Sequence, residues 1–220
     1  MEGESTSQIK KDNLTLKTKE WLLAIKDKNV HKWPFDMDHA ALLVIDMQKY
    51  FLNEKAKAFM ESGVSIIENV NKLISHFQKA GRPVICTRHA HKKDGTDLGI
   101  LGKWWKEMPL DGTTDADIDE RIKNNANDIL ITKHRYSAFY KTNLDEVLQK
   151  KNVSEVVVTG VMTNLCCEST ARDAFFRDYM VRFVADATAS NSERMHVSAL
   201  SNLAYAFADV CTTDELIGVK

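Results

Sequence analysis

Six short runs dense in Val, Ile and Leu constrain this chain more than any other feature. They are "ALLVIDM" (41–47), "PVICTRH" (83–89), "DILITK" (128–133), "SEVVVTGV" (154–161), "MVRFVADA" (180–187) and "ADVCTT" (208–213). A strand with one wet face alternates apolar and polar residues, whereas a continuous apolar run is buried on both faces. Segments of helical spacing separate these runs, at 62–80 (Val64, Ile67, Val70, Leu73, Ile74, Phe77), 142–151, 164–178 and 192–206. Strand and helix in alternation predict an α/β chain with a mostly parallel six-stranded sheet covered on two sides. Ligands of such sheets bind beyond the carboxyl ends of the strands, near the point where the strand order reverses.

Composition removes several function classes. The chain has 220 residues, enough for one large domain with an arm. Its 30 basic and 31 acidic residues leave a net charge of −1, so no bulk field draws it to nucleic acid or an anionic membrane. No apolar stretch approaches the ~20 residues that span a bilayer. The opening "MEGESTSQIKKDN" lacks the apolar segment of a secretory signal. Four cysteines do not form a disulfide framework at this size, and Cys86 and Cys211 lie inside apolar runs as small hydrophobes. A reducing, cytoplasmic setting is expected. Residues 1–12 read as a loose tail, and 13–28 as a helix (Leu16, Trp21, Leu22, Ile25) laid on the domain or on a neighbouring subunit. The expected division is thus 1–38 for tail and arm and 39–220 for the main domain. Residues 90–127, with "GKWWKEMPLDG", are long for a connection and suit a lid or pocket wall.

Three polar residues stand where strands end: Asp46, Lys133 and Cys166. A cysteine attacks through its thiolate, which a helix N-terminus and a nearby cation favour. Lys133 supplies the charge, and Asp46 can take the thiol proton and deliver it to a leaving group. Backbone amides of the "GVMTNLC" turn can cradle an oxyanion. Helical spacing separates the cysteine doublet. Cys167 aligns with Ala171, Ala174 and Phe175, an apolar stripe, while Cys166 aligns with Ser169, Thr170 and Asp173. A vicinal Cys166–Cys167 redox pair would strain a helical turn.

The segments "ALLVIDMQKYF" (41–51), "ILITKHRYSAFYKTNLDEVL" (129–148) and "VVVTGVMTNLCCESTARDAFFRDYMVRFVADATAS" (156–190) resemble the isochorismatase-like cysteine hydrolases. The likeness runs over about residues 39–213. It implies a Rossmann-like three-layer α/β/α fold, a homo-oligomer (dimer or tetramer) and a catalytic Asp46–Lys133–Cys166 set. The family's G-V-x-T-x-x-C turn falls on Gly160 to Cys166, with a cis bond after Val161 and an oxyanion hole from the amides of Met162 and Cys166. Members that cleave isochorismate, an ether, tend to lack this cysteine, so its presence implies C–N cleavage of a small amide, ureido or carbamoyl compound. Nicotinamidases of the family bind zinc through Asp-x-His and a further His. Here "TRHAH" puts His89 in place of the Asp, His91 keeps the His, and "GTDLGILGKWW" offers no third ligand, so no metal and no other cofactor is expected. The segment after Lys133 and the nucleophile helix are most similar to those of ureidoacrylate amidohydrolases. Phe51, His89, Trp104, Trp105, Tyr136, Phe139 and Val161 are expected around the substrate, a small molecule, with no nucleic-acid or membrane partner. An isochorismatase-type ether hydrolase, a non-catalytic binding module and a thiol redox protein are the alternatives.

Overall fold

The computed structural model describes residues 9–218. Its sheet has six strands: β1 (Ala40–Ile45), β2 (Val84–His89), β3 (Ile129–Lys133), β4 (Glu155–Val161), β5 (Met180–Ala189) and β6 (Asp209–Cys211). They lie in the order β3-β2-β1-β4-β5-β6, and every pairing is parallel. Each residue of β1 and β4 is buried, as continuous apolar runs between two helical layers require. The chain steps outward from β1 through β2 to β3, then returns to lay β4 on the other side of β1. The order therefore reverses between β1 and β4, and a crevice opens above their carboxyl ends.

The helices depart from the sequence reading in three places. The single helix expected over 62–80 is two, Glu61–Ser65 and Ile67–Lys79. The Ser65 hydroxyl donates to the carbonyl of Glu61, four residues back, and to that of Ile9, so it competes with the helical ladder at the break. The longer helix buries Val70, Leu73, Ile74 and Phe77 on one face. The expected helix 164–178 opens as a π-helical turn, Thr163–Cys167, and continues as Glu168–Phe175. Cys167 and Ala171 are buried as expected, but Phe175 lies on the surface against Phe176 and Phe207. A last helix, Thr213–Ile217, was not expected, although "TTDE" carries its capping box: the Thr212 hydroxyl accepts from Glu215 and the Glu215 carboxylate accepts from Thr212.

The N-terminal segment lies on its own domain. Helix Leu14–Ala24 leaves Leu16 exposed and buries Trp21, whose ring meets His196 and whose Nε1 donates to Glu193 Oε1 at 2.8 Å. Ile25 is buried beside it. Further on, the Asn29 side chain donates to the Val210 carbonyl and accepts from the Val210 amide, closing the open edge of β6. The first eight residues of the expected tail lie outside the described residues. The remainder is not loose, since Ile9 is buried in the core and Lys10 and Lys11 pair with Glu61 and Glu68. Residues 90–127 hold only a short helix, Leu101–Trp104, and a single 3-10 turn, and they fold back over the strand ends through bridges at Gln48–Ile118 and His91–Leu110.

Candidate active site

Three strand ends converge at the reversal point. Asp46 follows β1, Lys133 closes β3, and Cys166 sits in the turn after β4. Lys133 Nζ lies 2.7 Å from Asp46 Oδ2 and 3.2 Å from Cys166 Sγ. The same nitrogen donates to the Arg135 carbonyl at 3.0 Å and to His89 Nδ1 at 3.3 Å. Asp46 and Lys133 are fully buried, and Cys166 is 6% exposed. The Asp46–Lys133 contact is an ion pair, Asp46 Oδ2 makes no hydrogen bond among the described residues, and the Asp46 carboxylate lies within 4.8 Å of the Cys166 sulfur.

Local chain chemistry makes this convergence possible. Gly160 has φ +104°, and a Cβ there would stand 2.1 Å from the Ile45 carbonyl oxygen. Only glycine lets the end of β4 press so closely on the end of β1. Asp46 itself has φ +48°, a left-handed conformation that aspartate tolerates better than most residues. Thr87 of β2 holds it there: the Asp46 amide donates to Thr87 Oγ1, and that hydroxyl donates to Asp46 Oδ1 at 2.6 Å. After β4 the Val161–Met162 peptide bond is cis, as the resemblance implied. The π turn is closed by the Cys167 amide donating to the Met162 carbonyl, five residues back. That wider turn sends Cys166 toward the crevice and Cys167 inward, where its thiol faces the Thr159 carbonyl.

The charges follow from burial and neighbours. Burial works against the Lys133 ammonium, but Asp46 and Cys166 outweigh it and hold its pKa above the ordinary value. Burial pushes the Cys166 thiol up to about 12, Asp46 adds to the rise, and Lys133 offsets only part of it. The sequence reading expected a lowered thiol. Desolvation works in the opposite direction and favours the protonated thiol. Burial and then Lys133 depress the His89 pKa well below its ordinary value.

A cavity of about 390 Å³ opens onto Cys166. His89 and Cys166 line its inner end, and Phe51, Phe59, Trp105 and Tyr136 supply aromatic walls. Trp105 Nε1 donates to Tyr136 Oη at 2.8 Å, joining the long 90–127 segment to the one after β3. Lys57 and Glu107 form an ion pair at the rim. Larger grooves of about 800 and 460 Å³ open elsewhere on the surface and contain none of these residues.

A family model, "Isochorismatase domain", matches residues 40–215. The chain belongs to the isochorismatase family. Within that family it is 47% identical over 180 residues to nicotinamidase 3 of Arabidopsis thaliana, covering 80% of this chain and 86% of that protein. Its identity to the ureidoacrylate amidohydrolase of Caulobacter segnis is 28% over 208 residues, covering 84% and 87%. The higher identity thus lies with a nicotinamidase, although the sequence reading favoured the ureidoacrylate enzymes. A solved cysteine hydrolase from Pseudomonas syringae superposes with a TM-score of 0.83 at 30% identity, covering 86% of this chain and 95% of that one.

Of the residues that the isochorismatase-family likeness assigned to the pocket, Phe51, His89, Trp105 and Tyr136 line it. Three do not. Trp104 is 73% exposed, because helical turn Leu101–Trp104 ends there and sends consecutive tryptophans to opposite sides. Phe139 is buried against Tyr179 and beneath Arg177, away from the cavity. Val161 points into the core, within reach of Gly63. The sequence reading missed Tyr50, Phe59, Leu165 and Asn191 on the walls. "KYF" after the first strand was the available signal for Tyr50. Thr87 and Gln48 were missed too: Gln48 brackets the His89 backbone, accepting from its amide and donating to its carbonyl.

The resemblance puts the nicotinamidase zinc positions at His89 and His91, and among the described residues two groups, Asp46–His89–Cys166 and His91–Asp97–His134, bring ligand-type atoms within 4.8 Å of one another. His89 Nε2 and His91 Nε2 face one another at 2.9 Å, His89 Nδ1 faces the Lys133 ammonium, and His91 Nδ1 faces Asp97 Oδ1 at 3.2 Å. All four ring nitrogens are engaged within the chain, and a buried cation already occupies the space beside His89. Asp97 and His134 approach His91 closely enough to form a ligand-like cluster. His134 Nδ1, however, is held by the Ala90 carbonyl at 2.6 Å.

Proposed function

We propose that this chain is a metal-independent, cysteine-dependent amidohydrolase that cleaves the C–N bond of a small planar amide, with nicotinamide the first candidate. The reading is carried by one observation: a buried ammonium touches both a carboxylate and a thiol, and that thiol lines an aromatic cavity. The identity to a nicotinamidase and the likeness to a ureidoacrylate amidohydrolase support C–N bonds as the target. The partner is a small molecule.

The sequence of steps starts from the protonated thiol that burial favours. Asp46 takes the Cys166 proton as the sulfur bonds to the carbonyl carbon, and the carbonyl π electrons move to oxygen. Amides of Met162 and Cys166 hold that oxyanion. Collapse breaks the C–N bond while Asp46 returns its proton to the departing nitrogen, leaving a thioester and free ammonia or amine. Water then attacks the thioester, Asp46 takes the water proton, the C–S bond breaks, and the proton returns to sulfur. Lys133 stays charged throughout, balancing whichever of Asp46 and Cys166 is ionised. Cys166→Ala and Cys166→Ser should each lose at least roughly 10³-fold in kcat on nicotinamide, or on the ureidoacrylate or carbamoyl compound that proves best. Either variant turning over that substrate at the parent rate rules the mechanism out.

A further inference from the structure

We infer that Asp97 is a positioning residue for Lys133, acting through a chain of two histidines whose protons all point one way. The links are Lys133 Nζ to His89 Nδ1 (3.3 Å), His89 Nε2 to His91 Nε2 (2.9 Å) and His91 Nδ1 to Asp97 Oδ1 (3.2 Å). An ammonium only donates and a carboxylate only accepts. The cation at one end therefore requires a bare His89 Nδ1, which puts the His89 proton on Nε2. That proton requires a bare His91 Nε2, which puts the His91 proton on Nδ1, facing Asp97. Both ends favour the same polarity, and without the Asp97 acceptor His91 can carry its proton on Nε2, where it opposes the His89 Nε2 proton and loosens the chain that ends at Lys133.

The chain is built rather than incidental. His89 and His91 are buried, Gln48 clamps the His89 backbone on both sides, and the His91 amide and carbonyl are tied to Pro109 and Asp111. Asp97 sits at the outer end with its side chain 14% exposed, held by the Lys92 amide at 3.1 Å on each oxygen. A flipped His89 would present a proton to Lys133 Nζ and push the ammonium from the position where it reaches both Asp46 and Cys166. The glycine-rich segment carrying Asp97, which no sequence motif marked, thus sets the geometry of the buried amine. The kinetic part of this inference rests on the hydrolase reading, whereas the tautomers are read without any substrate.

Long-range ¹H–¹⁵N correlation spectra of the histidine-labelled full chain test it. The parent protein should show His89 as the neutral Nε2–H tautomer and His91 as the neutral Nδ1–H tautomer, and a protonated Nδ1 on His89 would overturn the inference by itself. Asp97→Leu should mix the tautomers of both rings and lower kcat at least roughly tenfold with KM changed less than about twofold, whereas Asp97→Asn, which keeps an acceptor, should preserve both. Lost stability and lost kcat with unchanged tautomers would mean that Asp97 merely holds the loop, and altered tautomers with unchanged kcat would equally overturn the role. If Asp97→Leu does not fold, His91→Phe removes the acceptor from His89 Nε2 and breaks the same chain, and parent kcat in that variant has the same negative meaning. Should the protein hydrolyse none of the amides, the tautomer readout still stands alone.

Discussion

Two adjacent cysteines meet different fates here, and the difference measures how far a residue's chemistry depends on its surroundings. Cys167 is buried in the core with its thiol toward the Thr159 carbonyl, while Cys166 meets an ammonium and a cavity. Its thiol is nonetheless raised to about 12, with burial the largest cause, which disfavours a stored thiolate. That distinction is measurable. If Asp46 accepts the proton during attack, Asp46→Asn should slow alkylation of Cys166 by iodoacetamide near pH 7.5 at least roughly tenfold. A thiolate already formed and paired with Lys133 would behave in the opposite way, because removing the carboxylate removes a charge that disfavours it. Peptide mass mapping of the alkylated sulfur gives the rate, and an unchanged or faster reaction would exclude Asp46 as the base.

Among the elements, the turn after β4 decides most. The continuous runs of Val and Ile were legible as strands because no other element buries both its faces, and the strand-end positions of Asp46, Lys133 and Cys166 followed from them. The π turn was not legible, since nothing in "GVMTNLCC" distinguishes a bond to the fifth residue back from one to the fourth. Thr87 was likewise hidden, because a threonine inside an apolar strand reads as filler until its partner across the sheet is known. Trp104 and Phe139 were misplaced for a related reason: aromatic type is visible in sequence, and direction is not. Gly160 can be tested at this scale. Gly160→Ala would drive a methyl against the Ile45 carbonyl at a positive φ, and should cost at least about 2 kcal/mol in urea unfolding. It should also lower kcat, because β1 and β4 must part and carry Asp46 away from Cys166. A variant of parent stability would show that the close approach of the two strand ends is dispensable.

At the scale of the whole molecule, one buried histidine ties together parts far apart in sequence. The His196 ring, on helix Glu193–Ala206, meets Trp21 of the N-terminal helix at 4.3 Å between centroids, and its Nδ1 shares a hydrogen bond of 2.8 Å with Thr163 in the nucleophile turn. Among the described residues its Nε2 makes no hydrogen bond that meets the geometric criteria for one. Burial depresses its pKa from 6.5 to about 3, against a smaller opposing pull from Glu193. The unfolded chain therefore binds a proton at this site below about pH 6.5 that the folded chain refuses, so stability is complete above that pH and falls as acid is added. At pH 5 the loss from this group is about 2 kcal/mol. His89 and His91, also depressed by burial, add to it in the same direction. His196→Asn keeps a hydrogen-bonding atom near Thr163 and carries no titrating ring. It should be less stable than the parent at pH 7, yet its stability should drop by about 2 kcal/mol less between pH 7 and pH 5. Urea unfolding at the two pH values measures the difference. Equal drops in parent and variant would mean that acid acts elsewhere, and that the N-terminal helix, the helix carrying His196 and the nucleophile turn do not share one acid-sensitive joint.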